Sequence, residues 1–302
     1  VITPTKGRHR QLGKLLETLA AQTVPLGQVL IADGGKDAEH VVARYSSTLP
    51  VTWLPCPQPG QIPQRNFALQ QLDPAIRIVI YLDDDIQLAP DALEILLAFW
   101  NGQPVTPAGV SFNITNMPAP ADNPVRHVFC MQTEPRGKVL PSGYNTPVVD
   151  APHDLRSEWL IGGATAWHRD LITREVNQPI ASRWAITEDL MYSYKVFKSG
   201  GRLFVCAASR VQHIDDTPTE TFRAGLFRGY NATLWRYLFV VRNPELSLLR
   251  FFWMMIGHIL ARTASGVAGK TWQFGYVLGH IEGLFYCLVS LLFRVNVERF
   301  LR

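Results

Sequence analysis

Cysteine, charge and long apolar runs are all in short supply in this chain. Four cysteines in 302 residues (Cys56, Cys130, Cys206, Cys287) form no CxxC pair. That excludes a disulfide scaffold and a zinc ribbon, and the four read as reduced thiols in a cytosolic setting. Charged residues make up 18% of the chain against 47% hydrophobic, which excludes intrinsic disorder and leaves ample material for a core. A spanning helix wants ~20 apolar residues with few charges. The two tail runs fall short: Phe251 to Ala261 contains His258, and Phe274 to Phe293 contains His280 and Glu282. Internal repeats and low-complexity tracts are missing too. No signal peptide precedes Val1-Ile2-Thr3-Pro4, which reads as the end of a strand in a chain either trimmed or starting in its core.

Net charge is small as well: 29 Lys/Arg against 25 Asp/Glu leave +4, too mild to call for a nucleic-acid partner. Its placement says more. Ten Lys/Arg against four Asp/Glu give residues 219–302 a charge of +6, so the first 218 carry −2. Two domains follow, one over 1–218 and a basic, apolar helical region over 219–302. Apolar faces with Arg-rich flanks suit helices lying in a membrane interface; helices packed on the protein and a bilayer-crossing hairpin are the alternatives.

Over the first part, short apolar runs alternate with helical patterns. Val29-Leu30-Ile31-Ala32 ends at Asp33-Gly34-Gly35, Val51 to Leu54 ends at Pro55, and Ile78 to Leu82 ends at Asp83-Asp84-Asp85. Leu12, Leu15, Leu16 and Leu19 carry the i, i+3, i+4, i+7 spacing of an amphipathic helix, and the stretch from Arg65 to Leu72 offers another. Strand–helix–strand order predicts an α/β fold with a mainly parallel sheet, whose ligands bind at the carboxyl ends of the strands. Pro, Asn, Gly and Asp dominate 104–157, predicting loops and short strands. Trp159 to Trp167 reads as a strand around Gly162-Gly163, and Thr187 as the N-cap of a helix opening with Glu188-Asp189 and closed by Gly200-Gly201.

Three residues in a row, Asp83-Asp84-Asp85, are tolerable only beside solvent or a cation, and such oxygen ligands suit Mg²⁺ or Mn²⁺ on phosphate. The alternative is a solvated acidic turn. His213 follows a later strand and is by itself more often a satisfied residue than a ligand. A carboxylate of Glu188-Asp189 can take a proton from a hydroxyl, or the two merely favour the helix dipole. Asp33 can accept from a base or ribose, or form an Asx-type turn. Arg65 can reach a diphosphate.

In this order the residues resemble the family 2 glycosyltransferases with the GT-A fold, over about residues 1 to 215. The matching features are Val1 to Thr5, Gln22-Thr23, Asp33, Gly60 with Arg65-Asn66, Leu82 to Asp85 with Pro90 to Leu93 behind it, Gly162-Gly163-Ala164, Glu188-Asp189 and Gly200-Gly201. The tail is similar in general character to membrane-associated members that build bacterial surface polysaccharides. The resemblance implies a GT-A (Rossmann-like) catalytic domain that inverts the sugar of a UDP- or dTDP-linked donor. Thr3, Pro4, Asp33, Arg65, Asp83, Asp84 and Gly163 would bind that donor. Asp83 and Asp85 of the DxD motif, completed by His213, would hold Mn²⁺ or Mg²⁺, and Asp189 would be the catalytic base. Glu188, Trp159 and Trp184 would meet a lipid-linked or saccharide acceptor. Gly34 stands where the family often has a second Asp or Asn, and no QxxRW pattern occurs, which favours single-sugar addition. The expected place of work is the cytoplasmic face of the inner membrane, peripheral or monotopic, with no nucleic acid. Two rivals remain: a sugar-phosphate nucleotidyltransferase, and a non-catalytic GT-A-like module at the membrane.

Overall fold

The computed structural model describes residues 1–177, 187–214 and 220–301. In chain order the elements are β1 (Ile2–Thr5), α1 (His9–Ala20), β2 (Val29–Asp33), α2 (Glu39–Ala43), β3 (Val51–Pro55), α3 (Gln61–Leu69), β4 (Ile78–Leu82), β5 (Ile86–Leu88), α4 (Ala92–Gly102), β6 (Gly109–Ile114), α5 (Pro124–Val128), β7 (Leu155–Ser157), β8 (Ala164–His168), α6 (Arg169–Arg174), α7 (Glu188–Lys198), β9 (Leu203–His213), α8 (Phe222–Arg242), α9 (Leu248–Val267) and α10 (Gln273–Phe293).

They form two compact units. The first takes Val1–Ala119, Val148–Pro179 and Tyr192–Asp215, the second Pro120–Pro147, Ile180–Met191 and Asp216–Arg302. The basic tail shares its unit with 120–147 and 187–191, two segments that precede it in the chain. Chain order cannot reveal this, because the contacts that recruit them are long-range.

In the first unit a nine-stranded sheet runs β3-β2-β1-β4-β8-β6-β9-β5, with β7 on β9. The β3-β2-β1-β4 side is wholly parallel. Beyond β4 the sheet is mixed, because β8 pairs antiparallel with both its neighbours while β6 and β9 are parallel. Helix α1 behaves as its periodicity dictates, whereas the stretch expected over Arg65 to Leu72 forms its helix earlier, as α3 from Gln61 to Leu69, and buries Gln64 and Arg65 along with Ile62 and Ala68. Leu12, Leu15, Leu16 and Leu19 of α1 are all buried against Ile31, Leu82 and Ile86, each worth ~1.5–3 kcal/mol of transfer free energy. Residues 159–163 differ from the predicted strand. Trp159 and Leu160 are buried as loop, and β8 begins only at Ala164, after the glycine pair.

In the second unit α8, α9 and α10 pack around Tyr230, Leu234, Trp235, Phe251, Met254 and Cys287. α8 and α10 approach backbone to backbone: a Cβ on Gly279 would lie 2.2 Å from the Leu226 carbonyl. Their contact therefore needs glycine. The opposite faces differ. Leu278, Ile281, Phe285, Leu288 and Leu292 form an exposed apolar stripe on α10, and Leu249, Trp253, Ile256 and Leu260 form one on α9. Among the described residues α10 is the one helix long and apolar enough to cross a membrane.

Candidate active site

β1, β2 and β4 end together, as parallel strands do, and each ends in polar residues. β4 stops at Leu82, and Asp83-Asp84-Asp85 turns the chain directly into β5. The turn is tied by the Asp83 amide donating to the Gly163 carbonyl at 2.9 Å and the Ile86 amide donating to the Asp83 carbonyl at 3.2 Å. Three adjacent carboxylates must diverge or neutralise, and here each finds its own partners. Asp83 Oδ1 accepts from Arg65 at 2.8 Å and from Gln61 at 2.9 Å. Asp84 accepts from Thr5 Oγ1 at 2.7 Å and pairs with Arg8 at 3.0 Å. Asp85 pairs with the same guanidinium at 2.8 Å, and His213 Nε2 lies 3.3 Å from its Oδ1.

The protonation of the trio follows from these partners. Burial pushes Asp84 up to about 6, with Thr5 and Arg8 pulling against it and the charges on Asp85 and Asp83 adding to the rise. Burial would raise Asp85 as well, but His213 and Arg8 together outweigh it and hold that carboxyl below the usual range.

A cleft of roughly 220 Å³ opens here, lined by Pro4, Thr5, Lys6, Arg8, Gln61, Gln64, Asp83 and Asp84. That is below the ~300–1,000 Å³ of pockets that enclose whole drug-sized ligands, so it suits part of a ligand. Thr3 is fully buried beneath it. Arg65 is buried too, its guanidinium 5.0 Å over the Tyr81 ring and 3.1 Å from the Gly162 carbonyl. In this geometry it fixes Asp83. Gly163 matters for the same carboxylate: a Cβ there would stand 2.7 Å from Asp83 Oδ2.

Asp33, at the end of β2, takes the turn form of its two sequence readings. It is fully buried, accepting from the amides of Gly35, Asp37 and Ala38 at 2.8 Å each and from the Trp53 indole at 3.0 Å. Burial opposes ionisation, but these donors prevail and its pKa falls below the ordinary value. It orders the turn instead of presenting an oxygen outward. Trp159 is likewise buried, with its amide 3.3 Å from Ser157 Oγ. Trp184 lies outside the described residues.

Glu188 and Asp189 open α7, whose first amide-to-carbonyl bond is Met191 to Thr187 at 3.0 Å. Thr187 differs from the expected cap. Its buried hydroxyl makes no hydrogen bond, while Asp189 Oδ1 accepts the Leu190 amide at 2.7 Å. Glu188 is buried and Asp189 half-buried. Both belong to the second unit, where the negative charge of Asp189 acts on Arg236.

Several functional side chains escaped the sequence. Gln64 donates to the Thr5 carbonyl at 2.8 Å and accepts the Gly60 amide at 2.9 Å, clamping α3 to β1. Gln61, Gln64 and Arg65 share one helix face, a spacing that marks a polar side facing the strand ends. Arg8 sits in the loop after β1 with no local mark of its role. Arg236, His258 and His280 have none either, being brought together by helix packing.

Any divalent ion here would need a converging set of donors. Among the described residues no three His, Cys, Asp or Glu side chains converge in that way. The set Asp83, Asp85 and His213 is therefore split, Asp83 turned to Arg65 and Gln61, Asp85 to Arg8 and His213. The donor chemistry of the Asp85–His213 pair, carboxylate oxygen and imidazole nitrogen, still fits Mn²⁺ or Mg²⁺.

Comparison with known proteins agrees with this architecture. Residues 1–146, just under half the chain, match the model of Glycosyl transferase family 2. No curated protein matches the chain. Among solved structures it is similar to the mannosyltransferase PcManGT from Pyrobaculum calidifontis in complex with GDP-Man and Mn²⁺, at 17% identity and a TM-score of 0.59. That match covers 98% of this chain and 87% of the other. Residues 1–349 of S. aureus TarS give 15% identity and a TM-score of 0.56 over 96% of this chain and 82% of that one. The same protein with UDP-GlcNAc gives 13% and 0.55 over 92% and 89%. At such identities the likeness shows the fold, mixed α/β and GT-A-like. Over residues 1–146 the chain is thus similar to glycosyl transferase family 2, on a GT-A-like fold.

Proposed function

We propose that this chain is an inverting glycosyltransferase that moves a sugar from a UDP- or dTDP-linked donor to a hydroxyl of a lipid-linked or saccharide acceptor. The observation that carries the reading is the Asp83-Asp84-Asp85 turn at the carboxyl end of β4, in a family 2 domain. PcManGT and TarS, of the same fold, were solved with GDP-Man and UDP-GlcNAc.

In the reaction Asp189 takes the proton of the acceptor hydroxyl, whose oxygen attacks C1 of the sugar. The bond from C1 to the diphosphate oxygen breaks, its electron pair leaves with the nucleoside diphosphate, and the anomeric configuration inverts. Pro4, Lys6 and Arg8 line the diphosphate end, with Thr3 buried in β1, while Asp33 shapes the base side by fixing its turn. Arg65 and Gly163 set the position of Asp83, and Asp84 anchors the turn to β1. Asp85 and His213, with Asp83 on rotation, would hold Mn²⁺ or Mg²⁺. When bound, such an ion neutralises charge developing on the departing diphosphate. Glu188 and the tryptophans of 159–184 are assigned to the acceptor side.

The place of work in this reading is the cytoplasmic face of the inner membrane; the exposed stripes of α9 and α10 support contact with a membrane interface, with the basic tail on anionic lipid. The four free cysteines accord with a reducing compartment.

A thermal-shift screen of nucleotide-sugars with and without Mn²⁺ tests the reading. The right donor raises stability by RT ln(1 + [L]/Kd), ~2.7 kcal/mol at a hundredfold excess over Kd. Asp85→Ala abolishes the Mn²⁺-dependent part; an unchanged response would remove the metal assignment. Product analysis separates the rivals: release of nucleoside diphosphate marks a transferase, pyrophosphate a nucleotidyltransferase, and no turnover a binding module.

A further inference from the structure

The second unit gathers cations that are held by neutral acceptors. Arg236 of α8 donates to the Gly143 carbonyl at 2.6 Å and to Asn145 Oδ1 at 2.7 Å, both neutral acceptors. Arg126 of α5 reaches the Met131 carbonyl and Tyr144 Oη at 3.4 Å each, again neutral. His258 of α9 has its ring centre 6.2 Å from that of Tyr144 and 5.9 Å from that of His280 on α10. Among the described residues no carboxylate lies within ion-pair distance of Arg126, Arg236 or Arg262. Asp189 acts on Arg236 at longer range.

These groups are desolvated but not sealed. Burial lowers Arg236 to about 10 and His258 to about 3, the latter pushed further by the charges of His280, Arg236, Arg262 and Arg126. Yet Arg126, Tyr144, Asn145, Arg236 and His258 all keep part of their surface open to solvent. A side chain packed amid protein and still wetted lines a recess. A desolvated cation with no counter-charge beside it costs several kcal/mol, a cost that a bound anion offsets. Guanidinium forks match the oxygens of a phosphate, and an imidazole held neutral has proton capacity to spare when a dianion arrives.

We propose that this recess is an anion subsite of the acceptor, in which Arg126, Arg236 and His258 receive a phosphate group carried close to the hydroxyl that meets Asp189. The placement beside the reacting hydroxyl rests on the transferase reading; the phosphate site does not. Phosphate is favoured over a sugar carboxylate because the three guanidinium charges of Arg126, Arg236 and Arg262 balance more than one negative charge. The acceptor class is then a phosphorylated one, either a lipid-linked saccharide phosphate or a soluble polyol phosphate.

The test is calorimetric titration of the full-length protein, in uncharged detergent, with inorganic phosphate, glycerol 3-phosphate and glucuronate. Vesicles with and without phosphatidic acid separate the lipid source from the soluble one. Arg126→Gln and Arg236→Gln are each expected to weaken phosphate binding tenfold or more, while Arg8→Gln in the cleft of the first unit leaves that component in place. If Arg236→Gln fails to fold, Arg126→Gln and His258→Asn carry the test, their side chains being part-exposed. By NMR the His258 ring should titrate at higher pH when phosphate is bound. No phosphate binding by the wild type, binding indifferent to these variants, or tighter binding of glucuronate would overturn the proposal. Failure of all donors with phosphate binding intact would sink the transferase reading alone; transfer to a neutral acceptor with no phosphate site would sink this one alone.

Discussion

The two units solve opposite electrostatic problems in opposite ways. In the first, acids crowd at a strand end and each is met by a cation within about 3 Å: Arg65 on Asp83, Arg8 on Asp84 and Asp85. In the second, Arg126 and Arg236 meet carbonyl, amide and phenol oxygens instead. A closed ion-pair network is at rest without ligand, whereas a set of unbalanced buried charges is held in place by packing and is completed from outside. The first unit thus resembles a latch that ligand must open, the second a socket.

The largest break in this contrast comes from Asp189, the acid set on the cationic side. Replacing it by Asn should cut turnover by about 10²–10⁴, the span of a lost general base, with donor binding by thermal shift nearly unchanged. Loss of donor binding in proportion would move Asp189 out of the base role.

Next in size is the response to acid, which should differ in sign between the units. His258 and His280 have pKa values lowered to about 3 and about 4, chiefly by burial. Both gain protons on unfolding below their ordinary value of about 6.5, so the stability they contribute is present above that pH and is lost as pH falls toward 4. At pH 5 each would cost the second unit roughly 2 kcal/mol relative to pH 8 by proton linkage. Asp84 works the other way. Its folded pKa of about 6 lies above the model-peptide value, so between about 6 and 4 the folded first unit takes up a proton and gains stability. Hydrogen exchange resolved by segment at pH 5 and 8 should show α8–α10 loosening while β1 and β4 do not. Parallel loosening of both would contradict the contrast.

The smallest effect concerns the outer surface. Phe285 is 60% exposed on the α10 stripe, so Phe285→Ser should leave folding intact while lowering co-sedimentation with anionic vesicles roughly tenfold, about 1.4 kcal/mol. Equal sedimentation would place lipid elsewhere.

Much of the first unit was legible because its signals are local. Apolar runs that end in Asp, an i, i+3, i+4, i+7 leucine stripe and a glycine-closed helix each state their structure within a dozen residues. The acidic turn was legible for the same reason. What those acids touch was not: Arg8 and His213 reach Asp85 from a loop and a strand far apart in the chain. Asp33 carried two readings, and only the register of β2 beside β3, which brings Trp53 onto its oxygen, selects the turn. Illegible above all was the recruitment of 120–147 and 187–191 by the helices, since neither segment has a periodicity that names its neighbour.

One missing methyl group has a consequence for how this sequence can vary. The carboxylate of Asp83 rests against the bare α-carbon of Gly163, while its other oxygen is gripped by Gln61 and Arg65. Even alanine would press on that oxygen and shift the grip, so the smallest step in sequence space at residue 163 is also a step in site geometry. Drift at this position has no neutral path, and variation must enter through Gln61 or Arg65, whose longer side chains can readjust.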